Sequence, residues 1–259
     1  MNIYSKIDSD RFGYKIGKID ETFFNDKTID EAIQYFKKND YECIFSRIDH
    51  SRLDLINGLE QRGFTTKDMQ YTLRNSFRNY KGELLFKSTS RTDGYIFREA
   101  LESETDQIVN IAKNSFSGYG HYSTDSRLNK KDCLDAYVDW TYNSCINKNV
   151  ADKIFVAEKN GEVAGYIAYK KFTKENLTYA AGVLGAVNPK HRGNRLFPDI
   201  DIAGLEWGIK ENMSWHEHNV LLDNFAVFKA HMSVGFKPHE FMITLHGWMD
   251  EVKLWEITI

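Results

Sequence analysis

The stretch IFVAEKNGEVAGYIAYKKF, residues 154–172, constrains the fold of this chain more than any other. Two extended runs flank Asn160-Gly161. A two-residue type I′ turn needs positive φ at both centres, which asparagine tolerates and glycine adopts freely. An antiparallel hairpin is predicted here, and the rest of the fold has to accommodate it.

Around the hairpin the periodicity alternates. Ile29, Ala32, Ile33 and Phe36 form a helical stripe over 28–40, followed by strand formers over 41–48. A helix is predicted over 51–63 and an extended run over 64–73. The chain then turns polar between about Asn75 and Gly94, where a domain boundary is expected, giving 1–90 and 91–259. From Tyr95 a second series reads strand (YIFREA), helix (ETDQIVNIAKNSF), polar aromatic loop (SGYGHYSTDSRL) and helix over about 130–146. After the hairpin come a strand over 178–187 and a helix with Leu196, Ile200, Ala203 and Trp207 on one face. The strand NVLLD (219–223), the helix NFAVFKAHMSV and a last strand FMITLHGW complete an α/β pattern.

Net charge is -3 from 34 basic and 37 acidic residues, so no polycation argues for nucleic acid. No apolar run approaches the roughly 20 residues of a membrane span, and the start MNIYSKIDSDRFGYKIGKID contains none. Cys43, Cys133 and Cys145 are scattered and outside CxxC spacing, which points neither to a disulfide framework nor to zinc. A soluble, cytoplasmic protein without a metal is expected.

Residues 51–73 overlay residues 223–245 at an offset of 172. Gly63-Phe64 falls on Gly235-Phe236, and Thr72-Leu73 on Thr244-Leu245. Glycine after a helix, followed by an apolar residue, is also a common ending, because glycine takes the left-handed position and its neighbour packs back. The matching strands in front favour a duplication. The copies differ in chemistry: Arg52 and Leu59 stand where the second has Asn224 and His231. The first copy is therefore expected to be scaffold.

In AVNPKHRGNRL (186–196) a strand runs into a proline turn, basic residues and a helix start. A helix opening after Gly193 presents unpartnered N–H groups and the positive end of its dipole. A pyrophosphate would satisfy both, with Lys190, Arg192 and Arg195 adding charge-assisted bonds. A solvated basic connection is the plainer alternative.

The ordered set VAEKNGEVAGYIA (156–168), VNPKHRGNRLF (187–197) and DNFAVFKAHMSVGF (223–236) resembles the GNAT superfamily of acyl-CoA-dependent N-acyltransferases over about 160 residues. A truncated GNAT-like copy over 1–90 ahead of a complete one over 91–259 is similar to the sugar N-acyltransferases. Among these are the TDP-fucosamine and dTDP-3-amino-3,6-dideoxyhexose acyltransferases, whose helix-pair region SFSGYGHYSTDSRL and YVDWTYNS resemble. The resemblance implies a GNAT fold, a mixed sheet flanked by helices. It also implies acyl transfer from acetyl-CoA, or a 3-hydroxyacyl-CoA such as 3-hydroxybutanoyl-CoA, to a dTDP-linked amino-dideoxyhexose for bacterial surface polysaccharide. Acyl-CoA would be held by Gly185, Ala186, Val187, Lys190, Arg192, Gly193, Asn194 and Arg195. Arg195 stands where the superfamily has a second glycine, and Phe197 where it has a small residue.

The strand at 182–187 would lie along the thioester and offer its N–H groups to the oxyanion. His231 falls where the superfamily often has the tyrosine that protonates the departing thiolate; packing with its ring on a backbone carbonyl is the alternative. Asn224 is read as a pantetheine or acceptor contact, or as an N-cap. No glutamate occupies 178–187, so Asp223 or His121 is left to accept the amine's proton. Tyr119, His121, Tyr122, Asp125, Trp140 and Asn143 are the acceptor-side candidates, aromatic faces stacking on base or hexose and polar tips reading hydroxyls; for Trp140 a core position is the alternative. A nucleotide-linked amino sugar is the expected partner and a homodimer the assembly to test for. Two other functions stay open: a GNAT enzyme for an amino acid, polyamine or other small amine, and a non-catalytic acyl-CoA-binding protein.

Overall fold

The computed structural model describes residues 2–78 and 94–254. In chain order the elements are α1 (Lys6–Phe12), β1 (Ile16–Asp20), α2 (Ile29–Lys38), β2 (Cys43–Asp49), α3 (Leu53–Glu60) and β3 (Thr65–Ser76). Then follow β4 (Ile96–Glu99), α4 (Thr105–Ser115), α5 (Gly120–Thr124), α6 (Lys130–Ile146), β5 (Lys153–Lys159) and β6 (Glu162–Lys174). The chain continues with β7 (Leu177–Val187), α7 (Leu196–Lys210), β8 (Trp215–Leu221), α8 (Phe225–Ser233) and β9 (Lys237–Trp248).

Contacts divide the chain into two compact units that are not two consecutive stretches. One comprises 1–70, 118–133 and 240–259; the other comprises 71–117 and 134–239. The boundary expected near residue 90 falls in 79–93, outside the described residues. The first unit takes back the α5 segment and most of β9, because these pair and pack with the N-terminal residues.

In the first unit β2 lies parallel to β1 and antiparallel to β9, with Cys43 opposite Trp248 and Asp49 opposite Met242. α2 opens with a reciprocal capping box between Thr28 and Glu31, satisfying two backbone donors at its start. Its buried Ala32, Ile33 and Phe36 join Ile44, Ile48, Leu59, Phe64 and Leu245 in one core.

In the second unit β4, β5, β6 and β7 are successively antiparallel, and β8 lies parallel to β7. The expected hairpin forms at β5–β6, with φ of 53° at Asn160 and 82° at Gly161. α7 is covered on several sides. Leu196, Ile200 and Trp207 pack with Ile167, Tyr169 and Ala180, while Ile202 and Leu205 pack with Val220, Val234 and Phe236.

Both copies of the repeat end their helices alike. Phe64 N–H donates to Leu59 C=O at 3.1 Å, and Phe236 N–H to His231 C=O at 3.2 Å. Gly63 and Gly235 sit at φ of 99° and 94°. This is a Schellman ending, which consumes carbonyls the helix cannot use itself and buries the following phenylalanine.

Candidate active site

β7 carries the first element of the site. Its pairing with β6 shifts register so that Leu184 faces Ala168 and Gly182 faces Tyr169, leaving Val183 as a bulge. Its parallel pairing with β8 covers only Tyr179–Gly182 against Trp215–His218. Beyond that point β7 runs on to Val187 and β8 to Leu221, and the two strands part. Gly182 is needed where they meet: a Cβ there would lie 1.9 Å from Nδ1 of His218. Gly185, Ala186 and Val187 lie in the parted half, opposite Ile167, Tyr166 and Gly165 on β6.

The basic turn follows at once. The Asn188 side chain accepts from Lys190 N–H at 3.1 Å and caps a single 3-10 turn over Pro189–His191. Arg192 reaches back to Val187 C=O at 3.4 Å, and Asn194 to His191 C=O at 3.1 Å. Lys190, Arg192, Gly193, Asn194 and Arg195 are all exposed. Gly193 has φ of 83° and open space where a Cβ would stand. Arg195 caps α7 at φ of 61°, and its side chain makes no cap bond. The left-handed region costs a non-glycine residue about 1–2 kcal/mol, which explains why glycine suits this position. The start of α7 therefore offers N–H groups that no capping side chain occupies, beside three exposed cations.

His231 lies on α8, where it is buried, and its Nδ1 stands 2.5 Å from Oδ2 of Asp201 on α7. Tyr169 on β6 donates its hydroxyl to Oδ1 of the same carboxylate at 2.8 Å. His218 on β8 brings Nε2 to 3.0 Å from Oδ1, within ion-pair range but without hydrogen-bond alignment. The His218 and His231 rings stack at 4.1 Å, with Phe197 and Phe236 closing around His231. Burial pushes the Asp201 carboxyl up, but the charges of His231 and His218 and the hydrogen bond to His231 outweigh it and hold the group far below the ordinary carboxylate range. Burial, with the neighbouring His231, pushes His218 down. His216, buried beside it, is pushed down to about 3 by burial and by His218.

The ring of His231 thus bonds a carboxylate, where packing on a backbone carbonyl was the alternative. Asp201, His218 and Tyr169 were missed in the sequence. The strand expected over 219–223 starts at Trp215, and its inward positions include His216 and His218. The signal was the His-x-His alternation at 216 and 218, in front of the apolar run. Asn224 caps α8, accepting from Val227 N–H at 3.3 Å, and Asp223 C=O accepts from Phe225 N–H at 2.9 Å.

The acceptor-side candidates separate. In the first unit, His246 Nδ1 stands 2.7 Å from Oδ2 of Asp125 and its Nε2 stands 2.8 Å from Nδ1 of His121. Trp248 Nε1 also donates to Asp125, at 2.9 Å, and Phe45 stacks on His246 at 4.0 Å. Burial pushes Asp125 up, but the bonds from His246 and Trp248 hold it well below the usual range; burial pushes both histidines down. Tyr122 donates to Asp8 at 2.8 Å. The polar loop expected over 117–128 contains α5, and His121 is buried on it rather than held in a free loop. Tyr119 is its N-cap residue. Trp140 and Asn143 stand apart on α6 in the second unit. Trp140 is 41% exposed, against the core alternative, and Asn143 bonds Asp139 C=O of its own helix at 2.7 Å.

Among the described residues, Asp201, His218 and His231 are the one set whose candidate ligand atoms lie within 4.8 Å of one another. Their arrangement is that of a carboxylate between two stacked imidazoles. The thiols offer no activated nucleophile: burial pushes Cys133 and Cys145 up to about 11 and Cys43 higher still.

No protein-family model matches the chain, and no curated protein matches it in sequence. Solved structures do. A tandem GNAT protein from the clavulanic acid biosynthesis pathway superimposes with a TM-score of 0.56 at 14% identity, over 85% of this chain and 68% of that one. The fold is the GNAT fold. A GCN5-related N-acetyltransferase from Kribbella flavida gives 0.52 at 13% identity over 86% and 79% of the two chains. One from Sphaerobacter thermophilus gives 0.52 at 10% identity over 80% of this chain and 60% of that one. The hairpin, the parted half of β7 and the basic turn form one continuous run from β5 to α7. Among the described residues no helix is long and apolar enough to cross a membrane.

Proposed function

We propose that this chain is an acyl-CoA-dependent N-acyltransferase whose acyl-CoA site runs from the parted half of β7 to the start of α7. The observation that carries this reading is the parting of β7 from β8 beyond Gly182, next to a helix start with exposed cations and no capping side chain. Bound acyl-CoA would supply an activated thioester carbonyl. Backbone N–H groups around Gly185 and Ala186 are the donors for its developing negative charge. Lys190, Arg192 and Arg195, with the first N–H groups of α7, are suited to a pyrophosphate. His231, on the Asp201 carboxylate, is the residue we assign to deliver a proton to the departing sulfur. With all three thiols held protonated by burial, direct attack by the amine is favoured over a cysteinyl intermediate.

The acceptor we infer is the amine of a dTDP-linked amino-dideoxyhexose, from the sequence resemblance of the helix-pair region. Calorimetry tests the cofactor reading first: acetyl-CoA should bind wild type, and Arg192→Ala should weaken it far more than it weakens a dTDP-sugar. Equal acetyl-CoA affinity in both proteins removes the assignment. Mass spectrometry of products from mixed acyl-CoAs with dTDP-amino sugars, amino acids and polyamines then identifies the acceptor. Rapid acylation of free amino acids beside slow turnover of every sugar would overturn the sugar.

A further inference from the structure

We propose that His231 is a two-way proton shuttle, with Asp201 its positioning residue. Its Nε2 takes the proton lost by the attacking amine and returns that proton to the departing thiolate. This rests on the acyltransferase reading above. The balance is complete within the site. The amine nitrogen bonds the thioester carbon, the carbon–sulfur bond breaks, and one proton moves from nitrogen to Nε2 to sulfur.

Geometry sets the order of these transfers. The ionised Asp201 carboxylate accepts at Oδ2 from Nδ1 of His231, so the neutral ring carries its hydrogen on Nδ1. Nε2 then bears a lone pair, and no hydrogen bond from a described residue reaches it. A ring in that tautomer cannot donate from Nε2 until it has first accepted there. A one-way acid, the role of a tyrosine, would need the opposite tautomer or a ring already charged.

Two further observations agree. β7 is LTYAAGVLGAV, with no carboxylate to serve as a separate base. The carboxylate that fixes the ring is itself fixed, by Tyr169 from β6 at Oδ1 and by His218 from β8 beside it. Among the described residues, the titratable groups in contact with His231 are Asp201 of α7 and His218 of β8, and Phe197 and Phe236 pack against its ring.

Two measurements test this. Nitrogen-15 histidine spectra of the intact protein at pH 8 should show His231 as the Nδ1–H tautomer, and Asp201→Asn should convert it to Nε2–H. A wild-type Nε2–H tautomer overturns the shuttle. In turnover, Asp201→Asn should lower kcat by up to about 10⁴-fold, as when a catalytic histidine is held in the wrong tautomer, with acetyl-CoA affinity little changed. Should that variant fail to fold, His231→Tyr carries the test, since tyrosine keeps an acid and loses the base. Its kcat should be low at neutral pH and recover as the pH approaches the pKa of the substrate amine. Activity near wild type across the whole range would show a one-way acid. Acetyl-CoA binding without transfer to any amine overturns the acyltransferase reading and the shuttle together, whereas the tautomer result overturns the shuttle alone.

Discussion

Leu59 on α3 and His231 on α8 occupy the same place in two copies of one strand–helix–strand motif, and their surroundings have nothing in common. Each offers its carbonyl to the N–H of the phenylalanine five residues on, at 3.1 and 3.2 Å, and each is buried. Leu59 lies within an apolar core with Ile33, Phe36 and Phe64. His231 meets a carboxylate, an imidazole and two aromatic rings. The strands in front differ in the same sense. His216 and His218 of β8 stand at the positions of Ile44 and Ser46 of β2 in the same offset. The backbone ending is a property of glycine and an apolar neighbour, so it survives any change on the inward face. The inward face is then free to hold either a core or a reaction.

Making the second copy like the first should have the largest effect. His231→Leu should cost about 10²–10⁴-fold in kcat, the usual contribution of a proton-transfer group, with little change in KM for acetyl-CoA. Steady-state kinetics with single-turnover controls check this. Full kcat would make His231 a packing residue.

The first copy should answer with stability alone. Leu59→Ala should lose about 2–5 kcal/mol, as for truncation of a buried leucine, while kcat per folded molecule stays at the wild-type value. Denaturant melts and active-site titration separate the two. Lost activity without lost stability would refute the scaffold role.

Acid should distinguish the two strands. His216 has its folded pKa lowered to about 3, so below pH 6.5 the unfolded chain takes a proton that the folded protein refuses. Its stabilising contribution is complete above 6.5 and is lost as the pH falls toward 3. His216→Ile, which copies Ile44, should remove about 2 kcal/mol of the stability lost between pH 6.5 and 5. Melting curves at the two pH values check it, and an unchanged difference between them would count against a neutral buried His216.

The helix starts should give the smallest contrast. Asn224 accepts a cap bond from Val227 N–H, whereas Arg52 makes none. Asn224→Ala should cost about 1 kcal/mol, and Arg52→Ala should stay within about 0.5 kcal/mol, both read from chemical denaturation.

The elements were legible wherever local chemistry decides them. Asn160-Gly161 adopts positive φ because few other pairs do so cheaply. The stripe at Ile29, Ala32, Ile33 and Phe36 could bury only as a helix, and α7 begins at Leu196 as its spacing required. The shared helix ending was legible for the same reason, since Gly-Phe after a helix is a backbone instruction. The exposed turn at 188–195 could also be read directly, because its cations and its glycine act locally.

What the sequence could not determine is which distant residues share a carboxylate. Asp201 reads as an oddity in an apolar helix, and its meaning depends on Tyr169, His218 and His231 arriving from β6, β8 and α8. Asp125, His246 and His121 meet only because β9 returns to β2, and the return of 118–133 and 240–259 to the first unit has the same cause. Turn geometry and helical periodicity are short-range, fixed by sterics within a few residues, so the chain alone determined the β5–β6 hairpin, the α2 stripe and the Gly-Phe helix endings, whereas α5 stands where a polar loop was expected. A buried charge is stabilised only by partners that folding brings to it from far along the chain, so the tertiary structure alone decided that His231 meets Asp201 and that His121 meets His246.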